Sequence, residues 1–228
     1  VKDGALPEGL KPGDKVAGTL RITGEDSEVV ELRVTERAPE ADPEPVLLSS
    51  DVPPLQPGEE VPDFTLTTQE GKTLSLSDLR GKVVVLTFVY TRCPLPDVCP
   101  LMDRKFRDLA DAINVLPGWS DRVRLLSVSF DPEHDTPEVL AKHARFRGAT
   151  PPLWTFAVAS HEELSKVAAP LGLMYAPMKT EVVHNLSTSI IGPDGRLVLK
   201  ETGLKEGRAW TTGEFLKAIK PILPPLRK

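Results

Sequence analysis

The sequence is short of cysteine, with only Cys93 and Cys99 among 228 residues. Two cysteines exclude a disulfide framework of the kind that staples small secreted domains, and they do not fix a redox compartment by themselves. Long apolar runs are also missing, so no stretch of this sequence reads as a bilayer-spanning helix. Positive charge is not in excess: a net charge of -5 at pH 7 argues against nucleic acid or an anionic membrane surface as the main partner. The chain opens at Val1 without an initiator Met or a signal-type segment, so any signal peptide or membrane anchor is expected upstream of Val1. No internal repeat is present. Proline is plentiful, at 23 residues, roughly twice the usual share of about 5%, and it is clustered.

The clusters divide the chain. Residues 1–37 read as a partial β module, with imperfect alternation over Lys15–Ile22 and again over Val29–Thr35, and turn chemistry in Gly24-Glu25-Asp26-Ser27. So short a piece cannot build an independent core. Residues 38–62 carry Pro39, Pro43, Pro45, Pro53, Pro54, Pro57 and Pro62 among acidic residues, which favours an extended connector.

Residues 63–228 read as the main α/β domain. It opens with a β-hairpin over Phe64–Leu76, followed by a brief turn and a buried strand, Val83–Val89. Leu101, Phe106, Leu109, Ile113 and Leu116 recur at roughly helical spacing, and Pro117-Gly118 stops that helix. A second strand is expected over Val123–Phe130, and a helix capped by Thr136 with Pro137 at its first position. Trp154–Ala159 is a third strand and His161–Ala169 a helix. Two strands, Asn185–Ile191 and Arg196–Lys200, flank the turn Gly192-Pro193-Asp194-Gly195, and a last helix ends at Pro221. Alternating β and α elements imply a mostly parallel sheet with helices on both faces. With two late antiparallel strands and both cysteines at the first βα junction, this is a thioredoxin-like sheet with flanking helices.

The cysteines lie in Tyr90-Thr91-Arg92-Cys93-Pro94-Leu95-Pro96-Asp97-Val98-Cys99-Pro100, between the buried strand and the helix. A helix N-terminus offers unpaired N–H groups and partial positive charge, which favour thiolate. Three chemistries fit: thiol–disulfide exchange, metal binding, and an inert structural role. Exchange motifs place two residues between their cysteines; here there are five, which weakens that reading. Paired thiolates on a loop suit copper(I) or zinc. Pro94, Pro96 and Pro100 stiffen the loop and lower the entropy lost on binding, a frame that a merely buried cysteine does not need.

A two-sulfur site usually needs a third ligand. His134, His143 and His161 sit in charged surroundings and read as solvated surface residues. His184 precedes an apolar strand, and in a thioredoxin-like fold the loop entering that strand faces the cysteine loop. It is the candidate third ligand. Met102, Met174 and Met178 are possible soft donors but read as core or loop filler.

These pieces together resemble the Sco/SenC family of thioredoxin-like copper-binding proteins linked to cytochrome oxidase assembly. The family's Cys-Pro-Asp-Val-Cys-Pro is similar to Cys93-Pro94 and Asp97-Val98-Cys99-Pro100 here, with Leu95-Pro96 inserted. The likeness continues in the run from Ser127 to Leu140, which contains Asp131-Pro132-Glu133-His134-Asp135-Thr136-Pro137. It resumes at His184 and at Ile191-Gly192-Pro193-Asp194-Gly195. The resemblance implies Cys93, Cys99 and His184 as copper ligands in a metallochaperone that passes copper to a cuproenzyme, such as a cytochrome oxidase subunit. It further implies a periplasmic or otherwise extracytoplasmic protein, tethered to the membrane in full length. Two departures stand out. The family's loop has three residues between cysteines, and the residue before the liganding His is usually Asp but here is Val183, which removes a carboxylate from the metal's surroundings. Val1-Lys2-Asp3 and Leu10–Val16 are similar to the second half of small periplasmic copper-binding β-barrels.

Two alternatives remain beside copper delivery. One is a periplasmic thiol–disulfide oxidoreductase with Cys93 and Cys99 as its catalytic pair, and the other a redox-signalling or peroxidase-like protein.

Overall fold

The computed structural model describes residues 9–10, 14–23, 26–37, 53–177, 182–205 and 207–225. The chain forms two compact units, Val1–Glu44 and Pro45–Lys228. In the first, β1 (Lys15–Thr23) and β2 (Asp26–Glu36) pair antiparallel, with register shifts between Lys15 and Val16 and between Ala17 and Thr19. Val16, Val29 and Ile22 are exposed, Ile22 to 69%. The expected turn at Gly24-Glu25, the Val1-Lys2-Asp3 and Lys11–Gly13 positions, and the prolines at 39, 43 and 45 lie outside the described residues.

The second unit is built around β5 (Val83–Val89), whose seven residues are all buried. A strand apolar on both faces, Val-Val-Val-Leu-Thr-Phe-Val, belongs in the middle of a covered sheet. It pairs parallel with β6 (Val123–Ser129), which pairs parallel with β7 (Trp154–Val158). On its other side β5 pairs antiparallel with β10 (Ser187–Ile191), and β10 with β11 (Leu197–Thr202). The hairpin of β3 (Thr65–Thr68) and β4 (Thr73–Ser75) extends the sheet beyond β7, giving the order β11-β10-β5-β6-β7-β3-β4. The helices are α1 (Cys99–Asn114), α2 (Pro137–Arg147), α3 (His161–Val167) and α4 (Thr212–Ile219). Phe106, Leu109 and Ile113 of α1, Leu140 of α2, Leu164 of α3 and Phe215 of α4 are sealed in the core with the strands. Among the described residues no helix is long and apolar enough to cross a membrane.

Local signals act as the sequence implies. Thr136 and Ser160 cap α2 and α3 by accepting from Val139 and Glu163 N–H, and Thr211 with Glu214 forms a capping box on α4. Other features differ. The segment read as a turn after β4 is a 3-10 helix, Leu76–Leu79, and α1 ends at Asn114, ahead of Pro117-Gly118. Residues 55–61 of the proline-rich stretch are bonded into the second unit: Leu55 N–H donates to Pro170 O, Gly58 N–H to Leu197 O, and Val61 N–H to Gly195 O. The segment before His184 carries a small antiparallel ribbon of β8 (Tyr175–Pro177) and β9 (Val182–His184), with Tyr175 opposite His184. The sequence carries no sign of it, because three-residue strands show no usable periodicity.

Candidate metal centre

β5 ends at Val89 and hands the chain to Tyr90 and the cysteine loop, and α1 begins at Cys99. Cys99 is thereby buried at the helix mouth, while Cys93 is half-buried; both are free thiols. Val98 caps α1 without a side-chain hydrogen bond, which leaves N–H groups of the first turn directed toward the sulfurs' end of the helix. The inserted residues turn outward: Leu95 is 54% exposed. Their carbonyls brace the loop, Leu95 O accepting from Val98 N–H at 3.2 Å and Pro96 O from Arg104 Nη2 at 3.1 Å.

His184 arrives from β9 and closes on the cysteines. Its Nε2 lies 3.6 Å from Cys99 Sγ, although 85 residues separate them. The two Sγ atoms and a ring nitrogen of His184 all lie within 4.8 Å of one another, and among the described residues this is the one group of three His, Cys, Asp or Glu donors that converges. His184 Nδ1 sits 2.8 Å from Asn185 O, a carbonyl that can only accept, so Nδ1–H donates to it and Nε2 is the nitrogen that faces the sulfurs. The ring is held edge-on by Tyr90 (centroids 5.4 Å apart, 85°) and against Phe130 (4.9 Å). Tyr90 N–H donates to Cys99 Sγ at 3.4 Å.

The two thiols are electrostatically unlike. The hydrogen bond from Cys99 brings the Cys93 thiol down to about 4; burial opposes this, and His184 assists it. The Cys99 thiol is pushed up, by that same bond to Cys93 and by burial. Metal-free, the pair is a Cys93 thiolate accepting from a buried Cys99 S–H. Burial and the neighbouring Cys93 charge push the Tyr90 phenol up to about 12, so it stays neutral.

A second network fixes the loop from below. Asp135, fully buried, accepts from Thr91 N–H (3.0 Å), Thr91 Oγ1 (2.5 Å) and Ser129 Oγ (2.5 Å). Asp131 accepts from Arg92 Nε at 2.7 Å and lies 2.9 Å from His134 Nδ1. Burial disfavours the Asp131 carboxylate, but the Arg92 and His134 contacts outweigh it and hold its pKa below the usual value. Neither aspartate was singled out from the sequence, although both lie in the run from Ser127 to Leu140.

None of the other histidines joins this cluster. His134 pairs with Asp131 and His161 with Glu133 (2.8 Å), both at exposed positions. His143 is not the solvated residue its charged helix suggested: it is mostly buried and lies 2.9 Å from the buried Asp103 carboxylate. Met102 is core, accepting from Thr188 Oγ1 at 3.5 Å, and Met174 is exposed. Met178 lies outside the described residues. The loss of a carboxylate before His184 is met differently than expected, since Val183 is 43% exposed and a main-chain carbonyl orients the ring instead.

Residues 53–211 match the sequence profile of the SCO1/SenC family. A SCO1 protein homologue of Bacillus subtilis is 31% identical over 150 residues, which is 64% of this chain and 75% of that protein. The copper-bound structure of Bradyrhizobium japonicum ScoI has a TM-score of 0.56 at 25% identity, covering 72% of this chain and 100% of its own. The structure of BsSco, described as having a disulfide switch and as a member of the Sco family of cytochrome c oxidase assembly proteins, has a TM-score of 0.58 at 26% identity, covering 76% and 98%. The match spans 75% of the Bacillus subtilis protein and 53% of the human mitochondrial SCO1 homologue.

Proposed function

The chain belongs to the SCO1/SenC family, and from that premise we propose that it is a copper metallochaperone whose cargo ion is held by Cys93, Cys99 and His184. The observation that carries this reading is the convergence of two sulfurs and one imidazole nitrogen within 4.8 Å. Two thiolates are soft ligands that select Cu(I), and the added imidazole also tolerates Cu(II). The low pKa of Cys93 supplies one thiolate without cost at neutral pH, and metal binding displaces the Cys99 proton. Half-exposure of Cys93 beside buried Cys99 leaves one face of the ion open to an acceptor. The acceptor we propose is a cuproenzyme, such as a cytochrome oxidase subunit. The working location is extracytoplasmic, with tethering to the membrane through a segment outside residues 1–228.

Competition of reduced protein against a chromophoric Cu(I) chelator tests this. One copper per chain is expected, lost on Cys93→Ser and weakened at least about tenfold by His184→Ala. Equal affinity in all three proteins would overturn it.

A second reading is favoured by the unequal thiols. Cys93 thiolate could attack a partner disulfide, forming a mixed disulfide and releasing one partner thiol. Cys99 would then attack Cys93 sulfur, closing the Cys93–Cys99 disulfide and releasing the second. In that reading His184 matters little, so an unchanged reductase rate in His184→Ala supports it, and a large fall counts against it.

A further inference from the structure

We propose that Asn185 is a positioning residue that sets the tautomer and direction of His184, in place of the carboxylate that this chain lacks at Val183. The inference deepens the copper reading and rests on it for its metal arm only.

His184 Nδ1 is 2.8 Å from the carbonyl of Asn185 itself. A carbonyl adjacent in sequence is a dependable acceptor only if its peptide plane is fixed. Here it is fixed by the same residue's side chain. Asn185 Nδ2 donates to Gly172 O at 2.9 Å, Asn185 Oδ1 accepts from Met174 N–H at 2.9 Å, and Asn185 N–H donates to Met174 O at 3.1 Å. Three bonds therefore lock Asn185 to the turn after α3. That turn is itself constrained: Gly172 has φ of 78°, and a Cβ there would meet Thr202 Cγ2 at 2.7 Å. Only a side chain with a donor and an acceptor in one plane can bridge Gly172 O and Met174 N–H together. Aspartate can accept but not donate, and alanine can do neither.

With the peptide plane locked, Nδ1 keeps its proton and Nε2 is held facing Cys99 Sγ at 3.6 Å as the nitrogen that would ligate. Partners of the non-ligating nitrogen are worth about 10- to 100-fold in metal affinity.

The test uses 15N-histidine NMR on the metal-free, reduced protein, with the pH raised until the imidazole resonances no longer move, followed by Cu(I) competition. Wild type should show His184 as a single Nδ1–H tautomer. Asn185→Ala should give a tautomer mixture and weaken Cu(I) about tenfold; Asn185→Asp, which retains the Met174 bond, should fall between. In a His184→Ala background, Asn185→Ala should change Cu(I) affinity no further. A pure Nδ1–H tautomer in Asn185→Ala and Asn185→Asp, or an undiminished Asn185→Ala effect in the His184→Ala background, would overturn the proposal. Should wild type bind no copper, the copper reading fails, while the tautomer shift still decides the role of Asn185.

Discussion

Asp135 grips Thr91 twice, through its backbone N–H at 3.0 Å and its hydroxyl at 2.5 Å, and so ties the β6–α2 loop to the root of the cysteine loop. Asp135→Ala strands three donors, two on half-buried Thr91 and the buried Ser129 Oγ, which also loses its acceptor. Each orphaned buried group costs about 1–3 kcal/mol, with partial relief from relaxation. A destabilisation of about 3 kcal/mol is expected in urea denaturation, together with weaker Cu(I) binding because Cys93 lies two residues beyond Thr91. A loss under about 0.5 kcal/mol, the range of ordinary surface changes, would refute this coupling.

The unequal thiols predict unequal chemistry. With the Cys93 pKa lowered to about 4, its thiolate is fully formed at neutral pH. Iodoacetamide labelling of metal-free reduced protein should modify Cys93 at a rate nearly flat between about pH 6 and about pH 8, where an ordinary thiol accelerates steeply. Cys99, buried with its pKa raised, should stay unlabelled until the protein is unfolded. Mass spectrometry of the labelled peptides checks both statements. Equal labelling of the two cysteines would contradict them.

Acid should weaken the fold through Asp131 and Asp63. Burial opposes the charged form at both, yet Arg92 and His134 at Asp131, and Ser77 at Asp63, hold the folded pKa below its ordinary value. A carboxylate depressed by folding stabilises the protein above its unfolded value, about 3.9. That stabilisation fades as pH falls from there through the lower folded value. The urea midpoint should therefore be level above about pH 5 and drop below about pH 4. Asp131→Asn should lower the plateau and shrink the drop. A variant with the wild-type plateau and drop would rule Asp131 out as a source of acid lability.

Leu95 supplies a control, being outward-facing and braced through its carbonyl. Leu95→Ala should leave stability within about 0.5 kcal/mol and copper stoichiometry unchanged. A larger loss in thermal melts would mean that the inserted pair is packed in a way the exposed side chain does not reveal.

How much of this was legible in the sequence follows from how far each signal reaches. The run Val83–Val89, buried throughout and apolar but for Thr87, and the cap at Thr136 are local and strong, and the parallel core with its flanking helices follows from such signals. Cys93 and Cys99 stood out as a pair, and His184 by its place before the apolar strand; their convergence depends on β10 pairing with β5, which brings the end of β9 to the cysteines at the start of α1. The β8–β9 ribbon was invisible because three residues carry no period. His143 looked solvated because its helix is charged, and its burial depends on Asp103, forty residues away on α1. Asp135, Asp131 and Asn185 act through hydrogen bonds to distant main chain or side chains, which no single-residue propensity encodes.

The most direct test is X-ray absorption at the copper edge on reduced protein loaded with one equivalent of Cu(I). Two sulfur scatterers and one nitrogen scatterer are expected for wild type, with the nitrogen lost in His184→Ala while both sulfurs remain. A first shell of sulfur alone in wild type, or one unchanged by His184→Ala, would contradict a centre built from Cys93, Cys99 and His184.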